Sequence, residues 1–202
     1  MARCAVIVLA AGASRRMRGA DKLLEDVDGT PLLRHVVTQA IAAGIGPVYV
    51  TLPPAPHARY AALEGLNATP LPVADAADGM GASLSCAFGN LPAKTDKALI
   101  LLADHPDLTA EDFRHVAGAP GRAPANLIWR ATSETGKPGH PICVDKALFS
   151  AFARLKGDTG GRRIIQAAKP NVHPVPLPGQ RATTDLDTPE AWAAWRKETG
   201  RQ

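Results

Sequence analysis

The sequence predicts a three-layer αβα domain on a mostly parallel sheet, and three observations carry that expectation. Runs such as Cys4–Leu9, Val48–Leu52 and residues 98–103 are almost continuously apolar, which suits strands buried on both faces of a parallel sheet. Segments with apolar residues at helical spacing alternate with these runs, the order that generates βαβ crossovers. No internal repeat, low-complexity segment or linker interrupts the series, so residues 1–202 are expected to form a single domain.

The elements follow in order. After the first strand, Ala10-Ala11-Gly12-Ala13-Ser14 carries almost no side chain, so its backbone can approach a ligand closely and turn N–H groups toward it. Arg15, Arg16, Arg18 and Lys22 come next, four cations in eight residues. Strand, small-residue loop and cations together describe a cradle for phosphates. The alternative is an ordinary turn followed by a solvated basic face. Gly12 and Gly19 fit neither G-x-G-x-x-G nor G-x-x-x-x-G-K-[ST], so dinucleotide and Walker-type loops are both set aside.

Asp26-Val27-Asp28-Gly29 is a turn signal, and Thr30 is expected to cap a helix with Pro31 at its first position. Leu33, Val36, Val37, Ala40 and Ile41 recur at helical spacing until Gly44 or Gly46 ends the element. After the strand Val48–Leu52, the proline run 53–56 breaks the chain; residues 57–63 read as a short helix and 71–73 as a short strand. Residues 75–85 form a second small-residue loop, with Gly79, Gly81, Ser83 and Ser85, leading into a helix through Phe88. Asp104-His105-Pro106-Asp107 closes the strand at 98–103, and Thr109 with Asp112 makes a capping box. Strands are expected at 126–130, 141–144 and 172–175. Helices are expected at 145–155, 159–168 and 189–197, the last capped by Thr188.

Composition narrows the function. A net charge of +4 suits a small anionic substrate at least as well as a polynucleotide. Aromatics, at 4%, are too few for base-stacking platforms, which argues against a nucleic-acid partner. Cys4, Cys86 and Cys143 lack metal-ligand spacing and read as buried free thiols. No apolar stretch reaches the roughly 18 residues of a membrane span and no signal-peptide pattern opens the chain, so no membrane partner and a cytoplasmic location are expected.

Ligands of open α/β sheets sit outside the carboxyl ends of the strands, so residues 10–14 and Asp104 are expected on one rim. There a carboxylate can hold a divalent cation whose shell is completed by phosphate oxygens and water. Asp187, in Asp185-Leu186-Asp187-Thr188-Pro189-Glu190, is a second candidate. Asp107 and Asp185 fit turn or cap roles as well. His140, in Lys137-Pro138-Gly139-His140-Pro141, reads more readily as structural than as an acid or base. Residues 157–163 offer flexible backbone, a helix start and two arginines: either a second anion site or a plain helix start.

Leu9-Ala10-Ala11-Gly12-Ala13-Ser14-Arg15-Arg16-Met17, with Lys22 after it, resembles the L-A-[AG]-G-x-S-x-R-M…K signature of molybdenum cofactor nucleotidyltransferases. The resemblance covers nearly the whole chain. Residues 79–84 are similar to that family's second glycine- and serine-rich loop, and Leu102-Ala103-Asp104-His105-Pro106 to its L-[AG]-D-x-P metal segment. Ala11, Gly139-His140-Pro141 and residues 157–162 and 185–190 look more like the cytidylyltransferase branch than the guanylyltransferase branch. Arg18 is a departure: it places Arg16 and Lys22 one residue further apart than the usual spacing.

The resemblance implies a Rossmann-like fold of the nucleotide-diphospho-sugar transferase type. It implies transfer of CMP from CTP to the terminal phosphate of a molybdenum-bearing molybdopterin, with pyrophosphate released and Mg²⁺ as cofactor. Its site would comprise Arg16 and Lys22 as catalytic cations, and Leu9, Ala10, Ala11, Gly12, Ala13, Ser14, Gly79, Gly81 and Ser83 around the nucleotide. Asp104 and Asp187 would hold the metal, and His140, Asp158 and Arg162 would face the pterin. A transient molybdoenzyme or chaperone partner would receive the product. GTP as donor, another phosphorylated acceptor such as a sugar phosphate, and a non-catalytic cofactor carrier remain as alternatives.

Overall fold

The computed structural model describes residues 3–157 and 160–201. Nine strands are β1 (Cys4–Leu9), β2 (Asp26–Val27), β3 (Thr30–Pro31), β4 (Val48–Leu52), β5 (Thr69–Pro72), β6 (Lys97–Leu102), β7 (Ile128–Thr132), β8 (Pro138–Asp145) and β9 (Val172–Pro176) among these residues. The α-helices among them are α1 (Leu32–Ala42), α2 (Met80–Gly89), α3 (Ala110–Arg122), α4 (Phe149–Ala153), α5 (Arg162–Ala167) and α6 (Pro189–Thr199). Seven strands form one sheet in the order β5-β4-β1-β6-β8-β7-β9. Every neighbouring pair is parallel except those of β8, which runs antiparallel to β6 and β7.

The apolar runs are buried on both faces, as their lack of alternation predicts. Val6 and Val8 point into one cluster with Leu33, Val37, Phe113 and Trp192, from α1, α3 and α6. Ile7 points the other way, into a cluster with Leu84, Phe88 and Phe152, from α2 and α4. Phe88 stacks on Phe152 with ring centroids 4.6 Å apart. Helices on both faces of the sheet give the three layers. No helix among the described residues is long and apolar enough to cross a membrane.

Local chemistry moves several boundaries. Thr30 does not cap α1. Asp28 and Gly29 both have positive φ, 53° and 85°, the geometry of a two-residue hairpin turn, so Thr30 and Pro31 pair with β2. The Leu32 and Leu33 N–H groups donate to the Glu25 and Leu23 carbonyls, both at 2.9 Å, which leaves Thr30 nothing to cap. The helix starts one residue later than its signals imply. Residues 58–63 form a 3₁₀ turn capped by His57. The helix expected at 145–155 divides into a 3₁₀ turn and α4, because the Asp145 carboxylate accepts from the Ala147 N–H at 2.9 Å and tightens the first turn.

Strand β5 starts two residues before the expected run, β7 lies two residues further on, and β8 extends to eight residues. The capping box of Thr109 and Asp112 and the Thr188 cap form as expected. All three cysteines are free, but only Cys143 is fully buried.

Candidate active site

The site grows from the in-register ends of β1, β4 and β6. Leu9 stands opposite both Thr51 and Leu102, so the loop after β1 and Asp104 after β6 share one rim. The Ala10 N–H donates to the Thr51 carbonyl at 3.1 Å, fixing the loop's first residue. Arg18 and Gly19 absorb the additional residue of the loop through positive φ, 54° and 101°. This sends Arg18 outward to Glu190, 2.6 Å away, and keeps Arg16 and Lys22 on the rim.

Two backbone contacts lay residues 182–187 across that rim. The Leu186 N–H donates to the Asp104 carbonyl at 3.1 Å, and the His140 N–H to the Ala182 carbonyl at 2.9 Å. Gly139 permits this approach, since a Cβ there would stand 1.8 Å from the Ala182 oxygen. Asp187 is thereby brought beside Asp104.

Lys22 joins the two carboxylates. Its ammonium donates to Asp104 Oδ2 at 2.5 Å and to Asp187 Oδ1, while Arg16 binds the other oxygen of Asp187. Burial pulls the Lys22 ammonium toward deprotonation, but Asp104 and Asp187 outweigh it and hold its pKa above the ordinary lysine value. Burial likewise pushes the Asp187 carboxyl up, and Lys22 and Arg16 bring it below the usual range. Asp185 goes the other way, because burial, its hydrogen bond to Asp187 and the charge of Asp104 all favour its protonated form.

The donor set suits a hard cation. Asp104 Oδ1 is buried with no hydrogen-bond partner among the described residues, and the neighbouring donors are carboxylate oxygens. No cluster of three or more His, Cys, Asp or Glu among the described residues forms a complete metal cage.

Two pockets meet here. One, of 290 Å³, is lined by Leu9, Ala10, Ala11, Gly12, Ala13, Arg15, Lys22, Gly79, Ser83 and Asp104. The other, of 740 Å³, has apolar walls including Leu84, Ile142 and Phe152, together with Arg130, Lys137, His140 and Arg162. Met80, a large apolar side chain left 46% exposed, lines both.

Most of the expected residues therefore come together, with exceptions. Ser14 does not line the first pocket; its hydroxyl is taken by Asp21 and Arg59. The second small-residue segment is not all loop, because α2 begins at Met80. Gly79, at φ 107°, makes the turn into the helix. Gly81 lies outside both pockets and is small for packing: a Cβ would stand 2.3 Å from the Gly157 oxygen. Asp158 lies outside the described residues. Asp107 accepts from the Trp195 indole at 2.9 Å, an anchoring role.

His140 is half-buried, and loss of hydration first, then its neighbours His105 and Arg130, bring its pKa to about 3. A neutral imidazole of that basicity is no general base at neutral pH. The folded chain refuses a proton that the unfolded chain accepts near the ordinary histidine value of 6.5, so stability should fall as pH drops from there toward about 3. By pH 4 the loss is about 3 kcal/mol at most. Thermal unfolding between pH 7 and 4.5 should show a flatter pH dependence in His140→Gln than in wild type; equal slopes would refute the assignment.

The residues sequence reasoning missed are Arg59, Asp21, Arg130, Lys137 and Met80. Arg130 stands on β7 and Lys137 in the turn just before β8, and only the antiparallel pairing of β7 with β8 puts them in one pocket. Nothing in the segment Ala58–Leu63 marks Arg59 as buried.

Residues 6–172 match the family model of the MobA-like NTP transferase domain. The fold is similar to that of Rv0371c from Mycobacterium tuberculosis H37Rv, with a TM-score of 0.83, 26% identity, and 97% and 98% of the two chains covered. Purine catabolism protein PucB of Bacillus subtilis (strain 168) is 28% identical over 204 residues, 95% of each protein. Bifunctional protein GlmU of Sorangium cellulosum (strain So ce56) is 32% identical over 164 residues, 78% of this chain; the match spans only 32% of that protein's length.

Proposed function

The chain belongs to the MobA-like NTP transferase family, and from that premise we propose that it transfers CMP from CTP to the terminal phosphate of a molybdenum-bearing molybdopterin. An oxygen of the acceptor phosphate forms a bond to the α-phosphorus of CTP. The bond from that phosphorus to the bridging oxygen of the β-phosphate breaks, and pyrophosphate leaves with the electron pair. Such transfer asks a protein for positioning and charge neutralisation rather than a covalent nucleophile.

The observation that carries the reading is Lys22, held by Asp104 and Asp187 on the wall of the small pocket and of an adjoining cleft that takes in Arg130, Lys137 and His140. In the proposed reaction Lys22 stabilises charge at the α-phosphate and the exposed Arg16 neutralises the departing pyrophosphate. Backbone N–H groups of residues 11–14 cradle the triphosphate. Asp104 and Asp187 would hold Mg²⁺, which when bound neutralises phosphate-oxygen charge. The choice of CTP rests on the resemblance of Ala11 and residues 139–141 to the cytidylyltransferase branch.

The larger pocket supports a pterin acceptor over a sugar phosphate. Its walls offer apolar faces for a flat heterocycle and cations for its phosphate. The test is pyrophosphate release by purified protein with Mg²⁺, CTP or GTP, and either molybdenum-loaded molybdopterin or a panel of sugar phosphates. Release is expected with CTP and the pterin. Release only with sugar phosphates would replace the acceptor, and ligand binding without release would make the protein a carrier.

A further inference from the structure

We infer that Arg59 is the positioning residue of the nucleotide loop: its guanidinium, buried beneath residues 10–14, sets the backbone shape that receives the phosphates. The phosphate half of this inference rests on the nucleotidyltransfer reading; the loop-holding half does not.

Arg59 is 1% exposed, and all its side-chain bonds fall on one short stretch. Nε and Nη2 donate to the two oxygens of Asp21, each at 2.7 Å. Nη1 donates to the Ala10 carbonyl at 2.6 Å, and Nη2 also reaches the Ser14 hydroxyl at 3.0 Å. The Ser14 hydroxyl in turn donates to Asp21 Oδ1 at 3.1 Å. One planar fork thus ties the first loop residue, the last loop residue and the residue before Lys22. Lysine, a point charge on a flexible stem, could not make these directions at once.

The tie has a visible task. Ser14 has φ 49°, a left-handed conformation that strains a residue with a Cβ and persists only where surroundings enforce it. Burial raises the Asp21 carboxyl, while its bonds to Arg59, Leu23 and Ser14 hold it below the usual carboxylate range. The pocket-facing side of Ala11, Gly12 and Ala13 meanwhile stays open. A buried ion pair serving stability alone would be replaceable by apolar residues of similar volume. That distinction makes the role testable.

Two variants separate the roles. Arg59→Met leaves Asp21 without its partner and should lower the melting temperature. Asp21→Leu/Arg59→Met removes both charges and should recover much of that loss, yet still leaves Ala10 and Ser14 untied. Hydrogen exchange of the Ala10 and Met17 amides, which donate to the Thr51 and Ser14 carbonyls at the two ends of the loop, should accelerate at least about tenfold in both variants in ligand-free protein. The KM for CTP should rise about 10- to 100-fold in both, with a much smaller change in kcat. Unchanged loop exchange would overturn the inference, as would a double variant with wild-type stability and wild-type KM. Faster loop exchange in variants of a protein that binds neither CTP nor GTP would support the loop-holding role and overturn the nucleotide reading.

Discussion

Lys22→Met should lower kcat for nucleotidyl transfer by about two to three orders of magnitude, the usual cost of removing one preorganised donor from a developing charge. The same variant should bind Mn²⁺ more tightly than wild type when no nucleotide is present. The ammonium occupies Asp104 Oδ2 and Asp187 Oδ1, so in the free protein it competes with a cation for the same oxygens. Removing it frees both carboxylates and takes one positive charge from their surroundings. Turnover and metal affinity therefore move in opposite directions, which simple damage to the site would not produce. The fold should survive, because Asp187 keeps Arg16 and the chain crossing rests on backbone bonds. Steady-state kinetics, circular dichroism and titration with Mn²⁺ followed by electron paramagnetic resonance check the three parts. Near-wild-type turnover would remove Lys22 from the mechanism.

What could be read from the sequence, and what could not, follows the range of the interactions. The apolar run Cys4–Leu9, the small-residue loop and the cations after it are contiguous, so their proximity needs no tertiary information. Asp104 could be placed on the same rim because parallel strands put their carboxyl ends together, and the pairing of Leu9 with Leu102 realises that rule. Thr30 misled because its capping signal is local, whereas the N–H groups it would have capped are taken by Leu23 and Glu25. Gly79 and Gly81 look equivalent in sequence, yet one turns the chain and the other clears the Gly157 carbonyl. Arg59 was illegible for the strongest reason: its partners stand 38 to 49 positions away, and a lone arginine after a proline run ordinarily faces water.

Asp104→Asn supplies the complementary result, and the sign of its metal effect is the decisive point. Mn²⁺ affinity should fall rather than rise, because an amide offers a carbonyl oxygen but no charge to a hard cation. With several kcal/mol of charge stabilisation attributable to a bound metal ion, the loss corresponds to about three orders of magnitude in turnover at ordinary Mg²⁺ concentrations. Raising Mg²⁺ should recover part of that rate, since Asp187 still presents a carboxylate beside the vacated charge. Lys22 should stay in place through Asp187, and the Leu186 N–H should still find the backbone carbonyl of residue 104. The substitution is thus confined to one oxygen and its charge. Should Asp104→Asn bind Mn²⁺ like wild type, the buried and unpartnered Oδ1 would need another occupant, and the metal would have to sit elsewhere on the rim.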